Sequence, residues 1–396
     1  MAPANRRVPQ LGEMAALMDR LTAIADLERR AMRRLPAFAR EYMVSGTGDE
    51  ATVRRNRSAF EAVTFRPQFL KGELDPDTAT TLFGRRYSAP IGIAPVGLTG
   101  LIWPGTDEIL AHLAADRRIP HTLSTVATTK PETVGPITRG HGWFQLYPPR
   151  DHAIRDDLIE RAAASGFDVM VVTADVPAPS RRERQRRAQV RVPPAIGPTL
   201  VAQAAMHPAW TAATLRRGLP KFETLEPYID RSTLKQMSGF IGARLGGTLS
   251  WDYLAEIRER WDGPLVVKGI LDTDDAARCI DAGADAVQVS NHGGRQLEAA
   301  PSPLEALPEI LERVDGRVPV LLDSGVRSGA DVARALALGA DFVFAGRAFL
   351  FGIAALGATG ADHAFEILRD GLVNVMHQTG CATIDELRAR GVAVDG

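Results

Sequence analysis

The chain reads AVQVSNHGGRQ at residues 286–296, an apolar run that stops at a polar, glycine-bearing turn. His292 and Arg295 leave the end of this run together, three residues apart. A neutral imidazole can abstract a proton, a guanidinium binds a carboxylate through two bonds, and glycines let backbone approach a flat ligand. The pair therefore indicates oxidation of an alcohol that carries a carboxylate. The stretch alone also fits an ordinary strand-to-loop turn with a solvated arginine and a capping histidine.

The same pattern recurs along the chain as an apolar run, a polar or glycine-bearing turn and an alanine-rich helical stretch. Strands that alternate with helices pair in parallel, and strands buried on both faces are unbroken apolar runs. The simplest closure is an α/β fold, a (β/α)8 TIM barrel. The alternative is a doubly wound open sheet, but Ala94-Pro95-Val96-Gly97 stands where its glycine-rich fingerprint would follow the first strand. The predicted strands are residues 90–95, 120–125, 143–147, 169–175, 264–269, 286–292, 318–324 and 342–347.

Reactive side chains follow nearly every predicted strand. Barrel enzymes place their chemistry at the carboxyl ends of the strands, so these residues should meet at one end of the barrel. In chain order they are Ala94, Gly97, Ser124, Thr125, Gln145, Tyr147, Thr173, Asp175, Lys268, His292, Arg295, Asp323, Ser324, Arg327, Gly346 and Arg347.

The last two turns, DSGVRSG at residues 323–329 and AGR at residues 345–347, combine glycines with arginines. Barrels commonly bind phosphate in the loops after strands seven and eight, where backbone amides and a helix N-terminus favour an anion. Each turn could also be an ordinary strand-to-helix connection with a surface arginine. A phosphate site beside Ser124, Gln145 and Thr173 indicates FMN rather than a phosphorylated sugar, because these side chains can bond the polar edge of an isoalloxazine ring.

Lys268 ends the apolar run at residues 265–267, where an unpaired ammonium would be costly. The sequence therefore predicts an anionic partner for Lys268, and the charge on a reduced flavin is suitable. The alternative is a structural ion pair with a carboxylate of the barrel.

Composition limits the remaining possibilities. With 396 residues and 45% hydrophobic content, the chain can bury a full barrel as one domain, 1–396. We expect an N-terminal helical cover at 1–80, the barrel at 81–380 and a long insertion after strand four at 176–247. Two cysteines offer neither a disulfide framework nor a metal site, and we find no signal peptide core or membrane-spanning stretch. These features predict a cytoplasmic protein. A formal net charge of -1 argues against nucleic-acid binding.

Several motifs resemble those of one enzyme family. They are residues 35–46, Phe144-Gln145-Leu146-Tyr147, Thr173-Ala174-Asp175, Lys268-Gly269, the turn around His292, and the turns at Asp323 and Gly346. Together they are similar to the FMN-dependent 2-hydroxy acid oxidases and dehydrogenases, which include glycolate oxidase, L-lactate dehydrogenases and, closest in its motifs, the (S)-mandelate dehydrogenase branch. The resemblance covers almost the whole chain.

The resemblance implies a role for each matching residue. His292 would be the base, Asp175 would orient it, Arg295 and Arg182 would bind the substrate carboxylate, and Tyr147 and Tyr42 would hydrogen-bond the substrate. Lys268 would support the reduced flavin. Gln145, Thr173 and Ser124 would contact its ring, Ala94, Pro95 and Val96 its edge, and Asp323, Ser324, Gly325, Arg327, Gly346 and Arg347 would surround its phosphate. Val96 and Ser324 depart from the family pattern, which commonly has threonine at the first position and, in oxygen-using members, glycine at the second.

Three of these assignments have simpler alternatives. Asp175 could cap the turn before Val176-Pro177. Tyr42 could be an amphipathic residue on an entry helix. Arg182 lies in the charged run 181–187, and such runs are usually solvated surfaces, although a mobile lid with one functional arginine is our preferred interpretation.

The insertion contains an apolar segment, 195–220, that ends in Arg216-Arg217. Its composition fits a peripheral membrane contact, a lid over the barrel or an oligomer contact. Residues 207–210 and 217–220 resemble the membrane-associating segment of mandelate dehydrogenase, which favours contact with the inner face of the cell membrane and a quinone as electron acceptor. Glycolate oxidase-like members use oxygen instead. The resemblance also implies a homotetramer.

Substrate size depends on Gly97 and Val126, which stand where glycolate oxidases carry alanine and tryptophan. The pocket beyond the reacting carbon should therefore be wider. We expect FMN-dependent oxidation of an (S)-2-hydroxy acid to its 2-oxo acid, with mandelate-like acids ahead of lactate. Two alternatives are an FMN-dependent isomerase on a related barrel and a non-catalytic flavin-binding barrel.

Overall fold

The computed structural model describes residues 16, 18–188, 190, 197–228, 245 and 249–394. Its strands are β1 (Val63–Thr64), β2 (Thr80–Leu82), β3 (Arg85–Tyr87), β4 (Ile91–Ile93), β5 (His121–Ser124), β6 (Gly142–Leu146), β7 (Val169–Thr173), β8 (Leu265–Ile270), β9 (Ala286–Val289), β10 (Val320–Leu322), β11 (Phe342–Ala345) and β12 (Ala393–Val394). Among the described residues, no helix is both long enough and apolar enough to cross a bilayer.

The helices in these residues follow the same chain order. They are α1 (Ile24–Arg34), α2 (Ala37–Val44), α3 (Ala51–Glu61), α4 (Thr99–Ile102), α5 (Thr106–Arg117), α6 (Pro131–Ile137), α7 (His152–Ala164), α8 (Glu183–Arg187), α9 (Pro198–Met206), α10 (Pro208–Arg217), α11 (Trp251–Arg260), α12 (Thr273–Asp281), α13 (Pro303–Val314), α14 (Gly329–Ala337), α15 (Arg347–Leu356), α16 (Ala358–Thr379) and α17 (Ile384–Arg390). A short 3₁₀ turn spans Glu226–Tyr228.

Strands β4 to β11 form a closed, all-parallel barrel in chain order. The last strand returns to the first through the pair of Val343 with Ile91. The predicted (β/α)8 barrel is confirmed, and the open sheet is excluded. Each of the eight barrel strands overlaps a predicted one, but several end earlier than predicted, and the short strands β1, β2, β3 and β12 were not predicted. The run at 286–292 stops as a strand at Val289, because the turn that follows places His292 at a φ of 57°, outside the β region.

Large apolar side chains fill the inside of the barrel. Trp143, Phe342 and Phe344 are almost fully buried there, and the rings of Trp143 and Phe344 lie 5.2 Å apart. Tyr87, from the antiparallel pair β2 and β3, packs edge-on against Phe342. The interior is therefore a packed core, and the carboxyl ends of the strands are left to form a site.

Helices α1, α2 and α3 precede the barrel and pack against its helices. Helix α1 packs against α15, and Ile24, Leu27 and Ala31 are its buried face. Helices α2 and α3 bring Tyr42 and Asn56 towards the turn after β9. The division of the chain into 1–80, 81–380 and 176–247 remains a prediction.

The insertion after β7 carries α8, α9, α10 and the 3₁₀ turn; parts of it, including residues 195–196 of the apolar segment, lie outside the described residues. The tryptophan of this segment faces inward and is not part of an exposed apolar surface. Trp210 is 5% exposed, its ring packs 5.4 Å from Phe38, and Nε1 donates to the Leu101 carbonyl. The side chains that do face outward are Val201, Met206, Leu215 and Leu219.

Candidate active site

A cavity of about 550 Å³ lies where the barrel strands end. Almost every residue predicted for the site lines it. They are Tyr42, Ala94, Pro95, Val96, Gly97, Val126, Gln145, Tyr147, Thr173, Arg182, Lys268, His292, Arg295, Asp323, Ser324, Gly325, Arg327, Gly346 and Arg347. The other three predicted residues stand behind the lining: Ser124 and Thr125 are bonded to Gln145, and Asp175 is bonded to His292.

A histidine, a carboxylate and a phenol form the centre of the site. His292 Nδ1 lies 2.8 Å from Asp175 Oδ1, and the Tyr147 hydroxyl lies 3.2 Å from His292 Nε2. Asp175 and Tyr147 come from the ends of β7 and β6, so three strands supply the group. Asp175 therefore does more than cap its turn. Its hydrogen bond fixes the ring so that Nε2 is the nitrogen that faces Tyr147.

Burial decides the charge of the imidazole. It lowers the pKa of His292 below the ordinary value, Asp175 opposes this shift, and the cations Lys268 and Arg182 add to it. Asp175 stabilises the charged form of the imidazole, but this effect is smaller than the effect of burial. Burial raises the pKa of Asp175, yet the charges of His292 and Lys268 outweigh it and the pKa ends below its usual range. The resting pair is a neutral imidazole beside a carboxylate, as a general base requires.

Two arginines converge on this centre. Arg295 Nη2 donates to the backbone carbonyls of Tyr42 and Met43, and its guanidinium lies 5.4 Å from the Tyr42 ring centroid. Burial, together with the charge of Arg182, lowers the pKa of Arg295 to about 10. Two mutually repelling guanidinium groups beside one cavity favour an anion.

Arg182 is held by two side chains that the sequence did not single out as partners. Its Nε donates to Ser180 Oγ at 3.0 Å, and its Nη2 donates to Gln296 Oε1 at 3.1 Å. Gln296 follows closely after His292 in the sequence, and this closeness could have marked it as a residue of the site. Arg182 is not on a solvated face, since it lines the cavity and begins α8 with a φ of 43°.

Lys268 has protein partners already. Its ammonium donates to Ser290 Oγ at 2.7 Å and lies 3.1 Å from Asp323 Oδ2 and 3.9 Å from Asp175 Oδ2. Burial lowers the pKa of Lys268, but Asp323 and Asp175 outweigh burial and raise it above its ordinary value. The structural ion pair considered as an alternative is therefore present. It does not remove Lys268 from the site, because the lysine also lines the cavity.

Asp323 was predicted to contact the cofactor, but its hydrogen bonds and ion pair fit a role in positioning other residues of the site. Its carboxylate accepts from Gln288 Nε2 at 2.8 Å, Ser290 Oγ at 2.6 Å and Ser324 Oγ at 2.8 Å, besides pairing with Lys268. A carboxylate repels a phosphate. Asp323 thus holds Lys268 and the two serines in place.

Arg327 and Arg347 lie at the ends of β10 and β11. Arg347 donates to the backbone carbonyls of Met43, Gly293 and Ser45, and Arg327 lies over the Phe351 ring. Burial lowers the pKa of Arg327 to about 10 and brings that of Arg347 well below its usual value, with neighbouring arginines adding to the second shift. Gly346 caps the first turn of α15 beside them. The cluster is a half-buried positive region next to a helix N-terminus, suited to a phosphate.

Comparison with known proteins identifies the family. The sequence pattern described as FMN-dependent dehydrogenase matches residues 31–394. The chain belongs to this family. It is 39% identical over 370 residues to the L-lactate dehydrogenase of Alcaligenes faecalis, covering 93% of this chain and 97% of that protein. The L-lactate dehydrogenase of Pseudomonas aeruginosa is 38% identical over 371 residues with the same coverage.

Solved structures agree with this assignment. The monotopic membrane protein (S)-mandelate dehydrogenase superposes with a TM-score of 0.89 at 34% identity, covering 94% of this chain and 99% of that one. Mandelate oxidase superposes with a TM-score of 0.80 at 32% identity, covering 94% and 98%. The predicted family, FMN-dependent 2-hydroxy acid dehydrogenases, is confirmed, and so is its cofactor, FMN.

Two features of this FMN-dependent dehydrogenase fit the cofactor directly. Gln145 Nε2 is buried and has no hydrogen-bond partner among the described residues, while Ser124 donates to Oε1 of the same amide at 2.7 Å. A buried amide nitrogen needs an acceptor, and a flavin carbonyl oxygen is one. At the other end of the cavity, a phosphate would relieve the repulsion between Arg327 and Arg347.

Other cavity residues carried no signal in the sequence. Phe222 and Leu245, from the far half of the insertion, are buried and line the cavity with Ile102. Their sequence neighbourhoods have no motif, and only the folding of the insertion over the barrel brings them there.

Proposed function

We propose that this dehydrogenase oxidises an (S)-2-hydroxy acid with a large apolar side chain to the corresponding 2-oxo acid. The observation that carries the proposal is a largely buried imidazole whose Nδ1 is held by Asp175 at 2.8 Å, in one cavity with Arg295 and Arg182. A base and two carboxylate-binding cations in one cavity match the two functional groups of a 2-hydroxy acid.

Each side chain has a defined part in this proposal. His292 Nε2 takes the proton of the substrate, and Asp175 stabilises the imidazolium that results. Tyr147, 3.2 Å from Nε2, hydrogen-bonds the reacting hydroxyl. Bound FMN supplies the two-electron acceptor for the oxidation. Lys268 provides a positive charge beside the ring, held there by Asp323.

The arginines orient the substrate. Arg295 and Arg182 bind its carboxylate, and Tyr42, whose hydroxyl donates to the Gly97 carbonyl at 2.8 Å, lies beside them. A carboxylate held at two points fixes the reacting carbon against the flavin, and such orientation contributes strongly to rate. Burial raises the pKa of Tyr42, which keeps its phenol protonated and able to donate.

The side-chain end of the cavity supports an aromatic substrate over lactate. Gly97 and Val126 form one wall, and Ile102, Phe222 and Leu245 add apolar surface. Apolar surface binds a phenyl group more strongly than a methyl group because more area leaves water. The relatives named L-lactate dehydrogenase make lactate the second candidate substrate.

The decisive test is the visible spectrum of the purified protein without oxygen, before and after (S)-mandelate, L-lactate or (R)-mandelate. We expect (S)-mandelate to bleach the oxidised flavin band fastest, L-lactate more slowly and (R)-mandelate not at all. A His292→Ala variant that retains FMN should not be bleached. Faster bleaching by L-lactate would reverse the substrate ranking. A flavin band that no acid bleaches would overturn the dehydrogenase reaction and reopen the isomerase and flavin-carrier alternatives.

We further propose a peripheral membrane contact through the insertion, with quinone as electron acceptor. Val201, Met206, Leu215 and Leu219 present exposed apolar side chains on and just after α9 and α10. Arg216 and Arg217 lie between Leu215 and Leu219, a combination that suits apolar groups in an interface with cations at headgroups. The neighbouring (S)-mandelate dehydrogenase structure is described as a monotopic membrane protein.

Co-sedimentation with vesicles tests the membrane contact. The protein should bind anionic vesicles, and Met206→Ser with Leu215→Ser should weaken binding without changing flavin reduction by substrate in solution. A quinone should reoxidise the reduced enzyme faster than oxygen does. Binding that is unchanged in the double variant would remove the insertion from the contact. The homotetramer also remains a prediction, which light scattering on the purified protein would check.

A further inference from the structure

Two loops that shape the cavity are bonded to each other along their length. The loop after β4 contains residues 97–100 and the loop after β5 contains residues 126–129. Leu98 N donates to the Val126 carbonyl at 2.8 Å, and Gly100 N donates to Thr128 Oγ1 at 3.1 Å. The two loops are therefore joined into one wall of the cavity.

Asp107, in the first turn of α5, joins these loops from behind. Its Oδ1 accepts from Thr99 Oγ1 at 2.7 Å, and its Oδ2 accepts from Thr128 N at 3.0 Å and from Thr128 Oγ1 at 2.8 Å. The side chain is buried, with Asp107 only 2% exposed. Burial raises the pKa of Asp107, and the hydrogen bonds from Thr99 and Thr128 offset only part of that effect. Burying a carboxylate costs free energy even where hydroxyl and amide groups donate to it. A carboxylate kept at such a position therefore indicates that the position has a function.

The wall that Asp107 holds carries both predicted determinants of substrate size. Gly97 and Val126 line the cavity, and a Cβ added to Gly97 would lie 2.3 Å from Val126 Cγ2, so the two residues are in close contact. The Gly97 carbonyl also accepts the hydroxyl of Tyr42. A shift of either loop would thus change the width of the pocket and the position of Tyr42 together.

We propose that Asp107 is a positioning residue that sets the selectivity of the enzyme for large 2-hydroxy acids by holding the wall of Gly97 and Val126. The inference rests on the proposed function and extends it, because it assigns substrate selection to a residue that does not line the cavity. A small acid does not reach this wall, whereas an aromatic acid packs against it.

The test compares Asp107→Asn with the wild-type holoenzyme. Contact with the wall is made equally in the ground state and the transition state, so its loss should raise KM for (S)-mandelate and leave kcat nearly unchanged. We expect kcat/KM for (S)-mandelate to fall about tenfold relative to that for L-lactate, the size of effect that a small change in an apolar pocket produces. Rates are measured per flavin-loaded enzyme. Asp116→Asn, an exposed aspartate on the same helix, is the matched control and should leave the ratio unchanged.

A second variant keeps the inference testable if Asp107→Asn does not fold. Thr128→Val removes one hydroxyl donor and preserves shape, and it should shift the same ratio in the same direction. An unchanged selectivity ratio in a folded variant would overturn the positioning role and leave Asp107 a purely structural residue. Wild-type enzyme that neither acid reduces would instead overturn the proposed function, and the positioning role with it.

Discussion

His292 has a φ of 57°, a conformation that histidine tolerates better than branched residues do. Its backbone N–H donates to Ser290 Oγ at 3.1 Å, and Ser290 in turn donates to Asp323. The turn therefore couples the base to the same carboxylate that holds Lys268. The buried, hydrogen-bonded pair of Ser290 and Asp323 thus positions both His292 and Lys268.

The pH dependence of substrate reduction should follow the imidazole. The base must be neutral, and burial places the pKa of His292 below its ordinary value, so kcat/KM should be level at neutral pH and fall only in more acidic solution. Asp175 raises that pKa. In Asp175→Asn the acidic fall should therefore move to still lower pH, while the plateau drops by about 10²- to 10⁴-fold because the imidazolium loses its carboxylate.

Stopped-flow flavin reduction across pH measures both effects. Asp274→Asn, on an exposed aspartate of α12, is the control and should reproduce the wild-type profile. An acidic limb that stays in place in Asp175→Asn would mean that a group other than His292 controls the profile.

We expect position 97 to require glycine, because Val126 leaves no room there for a larger side chain. In Gly97→Ala the new methyl group would meet Val126 Cγ2 at 2.3 Å, so the free energy of unfolding should decrease by about 1–3 kcal/mol, as for other overpacked sites. The cost should shrink in a Val126→Ala background, because that change removes the opposing methyl group. Thermal unfolding of the two single variants and the double variant measures the coupling. Equal costs in both backgrounds would contradict this contact.

Ion pairs and hydrogen bonds connect helix α8 to the N-terminal helices. Arg184 pairs with Glu41 at 2.6 Å and with Glu50 at 2.8 Å, and the Gly48 N–H donates to Glu183 at 2.8 Å. Gln185 adds a bond to Ser45 Oγ. These contacts keep the start of the insertion, and with it Arg182, against the cavity.

Arg184→Gln should loosen this helix without unfolding the protein. Arg184 is 38% exposed, so solvent screening limits the ion pairs to about 0.2–1 kcal/mol in total stability. We expect a roughly 1.4- to 5-fold fall in kcat/KM, which corresponds to that energy, together with faster proteolysis within the insertion. Arg187→Gln, an exposed position on the same helix, should change neither quantity. Unchanged proteolysis in Arg184→Gln would show that other contacts hold α8.

FMN should stabilise the whole molecule through its phosphate end. Arg327 and Arg347 are half-buried and repel each other, and a phosphate bound beside them removes that cost. At a hundredfold excess over its Kd, FMN should stabilise the apoprotein by about 2.7 kcal/mol. Riboflavin, which lacks the phosphate, should stabilise it less at equal concentration. Thermal unfolding of the apoprotein with each ligand gives the comparison, and equal stabilisation would argue against a phosphate site at these arginines.

Much of the molecule follows from the linear sequence. Parallel strands buried on both faces are apolar throughout, so β6, β7 and β11 were visible as unbroken runs. Because the carboxyl ends of such strands converge, most of the residues predicted after them line the cavity, and the family motifs added Tyr42 and Arg182. About half of the lining, including Phe222 and Leu245, was not predicted. The order of the elements along the chain was sufficient for both inferences.

Other properties depend on which distant side chains meet and how deeply they are buried. The pKa of His292 is set by burial against the charge of Asp175, and no local pattern contains that balance. The same holds for Asp323 beneath Lys268, Trp210 packed on Phe38, and Asp107 behind the wall of the pocket. Periodicity along the chain determines which residues face the core. The hydration of each buried polar group and the identity of its hydrogen-bond partner are determined only by the tertiary structure, because the groups that exclude water and supply the partner come from distant parts of the chain.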